Sequence, residues 1–151
     1  MQVSVQEADF DSAAETLALT QGRKDIGAVV TFEGRVRADD GLSALTLEHY
    51  PGMTEAEIAR HVAAAQARWP LAGVRIIHRI GRLGPGERIV LVITASAHRQ
   101  SAFEAAEFLM DYLKTRAPFW KQEQYGDGAR WVEARADDLD AARRWQSPAK
   151  R

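Results

Sequence analysis

Val3 and Val5 alternate with polar residues, a period of two that predicts a short first strand. Residues 9–21 change to helical spacing, with Asp9 or Asp11 placed to cap the start and Gly22 just past the end. Residues 26–36 are rich in β-branched side chains and read as a strand, in which Gly34 predicts a bulge or a close backbone approach. After a turn at 38–41, residues 43–50 alternate again and place Leu45 and Leu47 on one face. Pro51-Gly52 breaks the chain. Thr54-Glu55-Ala56-Glu57 then has the capping-box pattern for a helix that runs to Trp69 and is stopped by Pro70. Residues 74–80 and 88–97 predict two strands joined by a glycine-rich loop at 81–86. Ser101 and Glu104 form a second capping-box pattern, opening a long helix to about Thr115. Residues 119–125 and 129–135 predict a hairpin around Gly126-Asp127-Gly128, and 137–145 a last helix. This mixture of hairpins and crossovers predicts an α+β fold. Residues 1–146 are expected to form one domain and 147–151 a loose tail.

Composition narrows the function. The chain has 151 residues, 46% hydrophobic and 27% charged, which is ordinary for a soluble globular domain with its own core. Twenty basic and 21 acidic side chains leave a formal net charge of −1, so no bulk attraction to nucleic acid or to a membrane surface is expected. Cysteine is absent, which excludes disulfides, thiolate metal sites, a cysteine nucleophile and a persulfide carrier. The N-terminus lacks a basic region followed by an apolar run, and no apolar stretch is long enough to span a bilayer. A cytoplasmic protein is the expectation.

Against that neutral background a local basic run stands out. His98 and Arg99 precede a helix start, Lys114 and Arg116 lie at its far end, and Lys121 follows in the next strand, on the face opposite Trp120. A helix N-terminus with flanking cations suits a phosphate, although a solvated surface loop would look the same in sequence. Lys114 and Arg116 also suit a helix C-terminus for purely structural reasons. Two lysines sharing a cleft would lower each other's pKa, and partial burial would add to that. Arg35 and Arg37, spaced by two, are expected on one face, toward either a ligand phosphate or solvent. Other signals favour structural roles. Gly81, Gly84 and Gly86 lack dinucleotide-fingerprint spacing, Glu57 and His61 make an i,i+4 surface pair, and His49 and His78 have no nearby second metal ligand. Trp69, Trp131 and Trp145 are expected to pack. No metal or cofactor is expected.

Five stretches resemble a known family. They are Thr46-Leu47-Glu48-His49-Tyr50-Pro51-Gly52-Met53-Thr54, Ile77-His78-Arg79-Ile80-Gly81, Ser96-Ala97-His98-Arg99, residues 110–121 from Met110 to Lys121, and Arg130-Trp131-Val132-Glu133-Ala134-Arg135. Their order and content are similar to the large, catalytic subunit of molybdopterin synthase, over about residues 27–145. The resemblance implies an α/β hammerhead fold with an additional antiparallel β-sheet. It implies a sulfurtransferase that converts cyclic pyranopterin monophosphate into molybdopterin. The sulfur donor would be a small ubiquitin-like subunit with a C-terminal Gly-Gly thiocarboxylate, and the assembly a homodimer at the centre of a heterotetramer. By position, Lys121 and Lys114 match catalytic lysines, with Lys121 the stronger candidate. Arg35, Val36 through its backbone, Arg37, His98, Arg99, Gln122, Glu123 and Arg135 match substrate-binding positions. Two departures stand out: loop 38–41 is short and acidic where the family often has a longer, more polar one, and Gln122 stands where a basic residue is common. The competing readings are a non-catalytic module for a phosphorylated ligand or a ubiquitin-like tail, and a single-strand RNA binder, which the near-neutral charge disfavours.

Overall fold

A computed structural model describes residues 2–39, 41–132 and 135–146. Asp40, Glu133, Ala134 and the 147–151 tail, all part of the sequence expectations above, lie outside the described residues. The elements are β1 (Val3–Gln6), α1 (Ser12–Thr20), β2 (Ala28–Arg35), β3 (Ala44–His49), α2 (Met53–Arg68), β4 (Leu71–Arg79), β5 (Gly81–Leu83), β6 (Arg88–Ser96), α3 (Arg99–Thr115), β7 (Phe119–Tyr125), β8 (Gly128–Val132) and α4 (Ala136–Arg143). A 3₁₀ turn at Arg144–Gln146 follows. The strands form two four-stranded sheets, ordered β1-β4-β6-β2 and β5-β3-β7-β8. The β1–β4 pair is parallel and the other described pairs are antiparallel, so the fold is a mixed one of helices and two sheets, as the element order predicts.

The first sheet is covered on both faces. Val74, Ile76, Val90 and Val92 point toward α2 and α3, packing with Ile58, Val62, Leu109 and Leu113. Their sequence neighbours Ile77, Leu91 and Ile93 point the other way, onto Phe10 and Leu19 around α1. This two-sided burial explains why β6 is almost continuously apolar. Each such fully buried side chain contributes about 1.5–3 kcal/mol. The second sheet buries Leu45, Leu47 and Leu83 on one face, while Trp131 on β8 remains exposed.

Local signals translate unevenly. Asp11, of the two candidate caps, accepts the Ala14 N–H at 3.1 Å. Both readings of Gly34 hold: the register shifts between Gly34 and Arg35, and a Cβ at Gly34 would stand 2.8 Å from Val90 Cγ1. The capping boxes are corrected. Helix α2 begins at Met53 with Gly52 as N-cap, and Glu55 accepts the Gly52 N–H at 3.2 Å. Thr54 is buried instead, accepting the Tyr50 N–H at 3.0 Å and donating to the Pro118 carbonyl at 3.1 Å. Helix α3 begins two residues before Ser101, at Arg99, and Glu104 accepts from Trp69 Nε1 at 3.0 Å. Strand β5 sits within the expected 81–86 loop, recruited by pairing Leu83 with Leu45 of β3.

Gly27 sits where β2 begins, its N–H bonded to the Ser96 carbonyl at 3.0 Å. A Cβ there would lie 2.2 Å from the Ala97 carbonyl oxygen, a backbone atom that cannot rotate away. Gly27→Ala should therefore cost about 2–3 kcal/mol, as overpacking against a fixed neighbour does. Gly22→Ala should cost only about 1 kcal/mol, for its left-handed backbone, because nothing lies within 4 Å. Urea unfolding compares the two variants, and equal midpoints would refute this account.

Candidate active site

Helix α3 ends where the Arg116 and Ala117 N–H groups both reach the Tyr112 carbonyl, at 2.8 and 3.1 Å. Tyr112 and Leu113 are buried, which leaves Lys114 on the exposed side of that last turn. Pro118 then starts a new direction, and β7 follows over the expected residues 119–125. Alternation along β7 puts Phe119, Lys121 and Glu123 on one face and Trp120 and Gln122 on the other. Lys121 pairs with Leu47 of β3 and with Val132 of β8. Its amine thus rises from a floor that includes Leu47, a side chain only 1% exposed.

Beside Lys121 on this face, the Phe119 ring stacks on the His78 imidazole, with centroids 3.9 Å apart and planes 18° from parallel. His78 is buried, and its Nδ1 lies 2.8 Å from the Arg79 carbonyl oxygen. A carbonyl only accepts, so Nδ1 carries the hydrogen. Burial chiefly, then the charges of Lys121, Lys114 and His49, hold the His78 pKa down to about 3, and the ring is neutral at physiological pH. Lys121 is half-buried, and its pKa falls to about 8. Burial is the largest cause. Lys114 and Arg135 push the same way, while Asp138 and Glu123 oppose them. At pH 7 this amine is about nine-tenths protonated, yet it gives up its proton far more readily than an ordinary lysine.

The other candidates divide. Glu123 shares the Lys121 face and accepts the Tyr125 hydroxyl. Gln122 lies on the reverse face, paired with Thr46 and Trp131. Arg135 caps the start of α4 and acts electrostatically on Lys121. Arg35 ends β2 with its guanidinium 2.6 Å from Glu33. Val36 is buried, donating to the Glu87 carbonyl at 2.9 Å and accepting the Gly86 N–H at 2.7 Å, so its backbone is already engaged. Arg37 lies beyond the strand and its bulge, where alternation no longer sets direction, and pairs with Asp39 at 3.2 Å. His98 and Arg99 form the start of α3, which places them about 22–24 Å from Lys114 at a rise of about 1.5 Å per residue. One chain does not bring the two ends together. Asp138 and the packing of His78 against Phe119 went unread in the sequence. Asp138 carried no signal beyond that of an acid in a first helical turn, and the lone His78 in an apolar strand was the one available cue. Two shallow depressions lie elsewhere, one between α1 and β2 and one beside the β7–β8 turn.

The family model described as MoaE protein matches residues 5–116 of the chain. The chain belongs to the MoaE family. It is 62% identical to the molybdopterin synthase catalytic subunit of Mesorhizobium japonicum, over 98% of this chain and 95% of that one. Among solved structures, the molybdopterin biosynthesis MoaE protein of Burkholderia ambifaria superposes with a TM-score of 0.83 at 49% identity, covering 97% of this chain and 98% of the other. A complex of subunits 1 and 2 of the molybdopterin-converting factor of Helicobacter pylori matches with a TM-score of 0.74 at 20% identity, covering 88% and 91% of the two chains, a likeness of fold. Membership makes this MoaE chain the sulfur-transferring, catalytic partner of a molybdopterin synthase.

The lowered lysine makes two predictions. In protein carrying 13C-labelled lysine, the Lys121 resonance should titrate near pH 8, and Lys114→Gln should raise that inflection toward the ordinary 10.5. An unmoved inflection would show that the two amines are not coupled. The second concerns stability. Between about pH 8 and 10.5 the unfolded chain holds the Lys121 proton more tightly than the folded chain does, so stability rises with pH through that window. Below pH 8 the buried charge is a net cost. Lys121→Met should therefore raise the denaturation midpoint at pH 7 and flatten the alkaline slope, and a lower midpoint would contradict it.

Proposed function

We propose that this chain moves sulfur from the C-terminal thiocarboxylate of a small ubiquitin-like subunit onto cyclic pyranopterin monophosphate, forming the dithiolene of molybdopterin. The observation that carries this reading is the Lys121 amine, half-buried and easily deprotonated beside Lys114, at the two positions where the family resemblance expects active-site lysines. The lack of cysteine agrees, because the sulfur then has to arrive on another molecule.

The proposed chemistry conserves its atoms. The thiocarboxylate sulfur attacks an activated carbon of the pterin side chain, the C–O bond at that carbon breaks with its oxygen leaving protonated as water, and a thioester-like link between the partner's terminal glycine and the pterin results. Water then adds to the acyl carbon. The carbon–sulfur bond to the partner breaks, the sulfur stays on the pterin, and the partner leaves as a carboxylate. A second thiocarboxylated partner supplies the second sulfur. In this reading Lys121 stabilises the oxyanion of the acyl adduct and exchanges a proton at neutral pH, and Lys114 holds the anionic groups. Arg35, Arg37, Arg135, His98 and Arg99 are the phosphate and pterin contacts in this reading, with Glu123 and Gln122 flanking Lys121.

The length of α3 supports a homodimer. His98 and Arg99 lie too far from Lys114 to grip the same small ligand within one chain, and a second copy can supply them. The wider reading is a homodimer at the centre of a heterotetramer in the cytoplasm, each chain one domain over residues 1–146, with the two sheets as a hammerhead and its added antiparallel layer.

A single-turnover assay with cyclic pyranopterin monophosphate and thiocarboxylated small subunit tests the reading. Dithiolene should form only with this chain, and Lys121→Ala should slow it by at least about 100-fold, the scale of one lost acid–base group. Native rates in a folded Lys121→Ala variant would remove Lys121 from the mechanism. Binding of both ligands without product would favour the non-catalytic module.

A further inference from the structure

We propose that Asp111 is a positioning residue, clasping the C-terminal segment against α3 so that Asp138 faces the Lys121 amine. The inference rests on the reading of Lys121 as catalytic. Asp111 is mostly buried, with 17% of its side chain exposed, and one oxygen, Oδ2, accepts both Trp145 Nε1 at 2.6 Å and Arg144 Nη2 at 3.1 Å. The same Arg144 nitrogen reaches Glu107 at 2.9 Å. The Trp145 ring meets Trp69 and Phe108 edge-on, each at 5.6 Å, and Arg68 donates to the Trp145 carbonyl at 3.1 Å. Arg144 and Trp145 are therefore fixed to α3 by a charged pair, an indole N–H and ring packing together.

That anchorage has a direction. Asp111 lies one helical turn before Lys114, so the clasp is made beside the lysine. At its other end the segment leaves β8 at Val132, the residue paired with Lys121, and α4 begins four residues later. The segment thus spans from the strand edge beside Lys121 to the helix that carries Lys114. In its first turns Arg135, Ala136, Asp137 and Leu139 are exposed and Asp138 alone is half-buried, turned toward the protein. Acids in a first helical turn favour the helix dipole wherever they point. The inward placement of Asp138 is what the dipole does not require. Among the described residues, the charged and titratable groups acting on Lys121 are Lys114 from α3, Arg135 and Asp138 from this segment and Glu123 from β7, with His78 of β4 coupled to both lysines. Asp138 and Glu123 are the anions that favour the protonated amine.

The test follows the Lys121 resonance in 13C-lysine-labelled full-length protein, with neither substrate nor partner present. Asp138→Asn should move the inflection below 8. In an Asp111→Ala background, Asp138→Asn should move nothing, because the segment no longer presents residue 138. Trp145→Phe, which keeps the ring packing but loses the N–H, should weaken the coupling without unfolding the chain, and Asp111→Asn, still an acceptor, should preserve part of it. A shift of equal size in both the native and the Asp111→Ala backgrounds, or none in the native one, would overturn the proposal. Coupling without turnover in the single-turnover assay would leave the clasp standing and sink the catalytic reading.

Discussion

The contact on which the site depends is the stack of Phe119 on His78. His78 belongs to the first sheet and Phe119 opens β7 of the second, so the two rings join the layers at the point where Lys121 emerges. The stack needs a neutral imidazole, because a charged one would be buried without solvent beside two lysines. With its folded pKa below the ordinary 6.5, His78 contributes stability that is fully present above that value and is lost as pH falls toward about 3. Acid therefore weakens the sheet junction and the lysine site together. Thr54 reinforces the joint by tying α2 to Pro118, the residue before the stacked ring.

Once that junction is fixed, the chemistry of Lys121 follows from strand geometry. The side-chain period of two puts residues 119 and 121 on the same face, so an ammonium group shares the apolar surface that holds the sheets together. The fold accepts an electrostatic cost there, deepened by Lys114, and the same cost makes the amine an effective proton donor at neutral pH. The C-terminal segment moderates it. A wall carrying Asp138 and Arg135 gives opposing contributions, so the ionisation of Lys121 depends on where a short peripheral helix is docked.

Much of this was legible in the sequence because it follows from periodicity. Strand β7 was readable end to end, and so was the placement of Lys121 opposite Trp120, since alternation and Pro118 fix both. Strand β5 was not, because three residues between glycine turns become a strand only by pairing with β3. Thr54 and Ser101 misled for a shared reason: a Ser/Thr-x-x-Glu pattern marks a helix start only if the hydroxyl has no better partner, and Thr54 finds Pro118 while Ser101 falls inside the helix. The spacing of Arg35 and Arg37 implied a shared face only while the strand lasted, and it ends at Arg35. That His98 and Arg99 lie a helix length from Lys114 was implicit in the predicted helix itself. Their shared role is what the family resemblance implies, and under the proposed function a second chain would supply it.

The acidic loop remains to be reconciled with an anionic substrate. Asp39 sits 3.2 Å from Arg37, and both side chains are more than half exposed, at 56% and 67%. An exposed pair of this kind contributes about 0–1 kcal/mol, because water solvates both partners nearly as well as they solvate each other. A phosphate brings more charge and more acceptor oxygens than one carboxylate, and a guanidinium can meet it with two parallel hydrogen bonds. Under the proposed function, a substrate phosphate would therefore compete favourably with Asp39 for Arg37. Asp39 meanwhile pairs with Arg37 and offsets its charge, so an acid in this loop is compatible with the proposed role of this arginine.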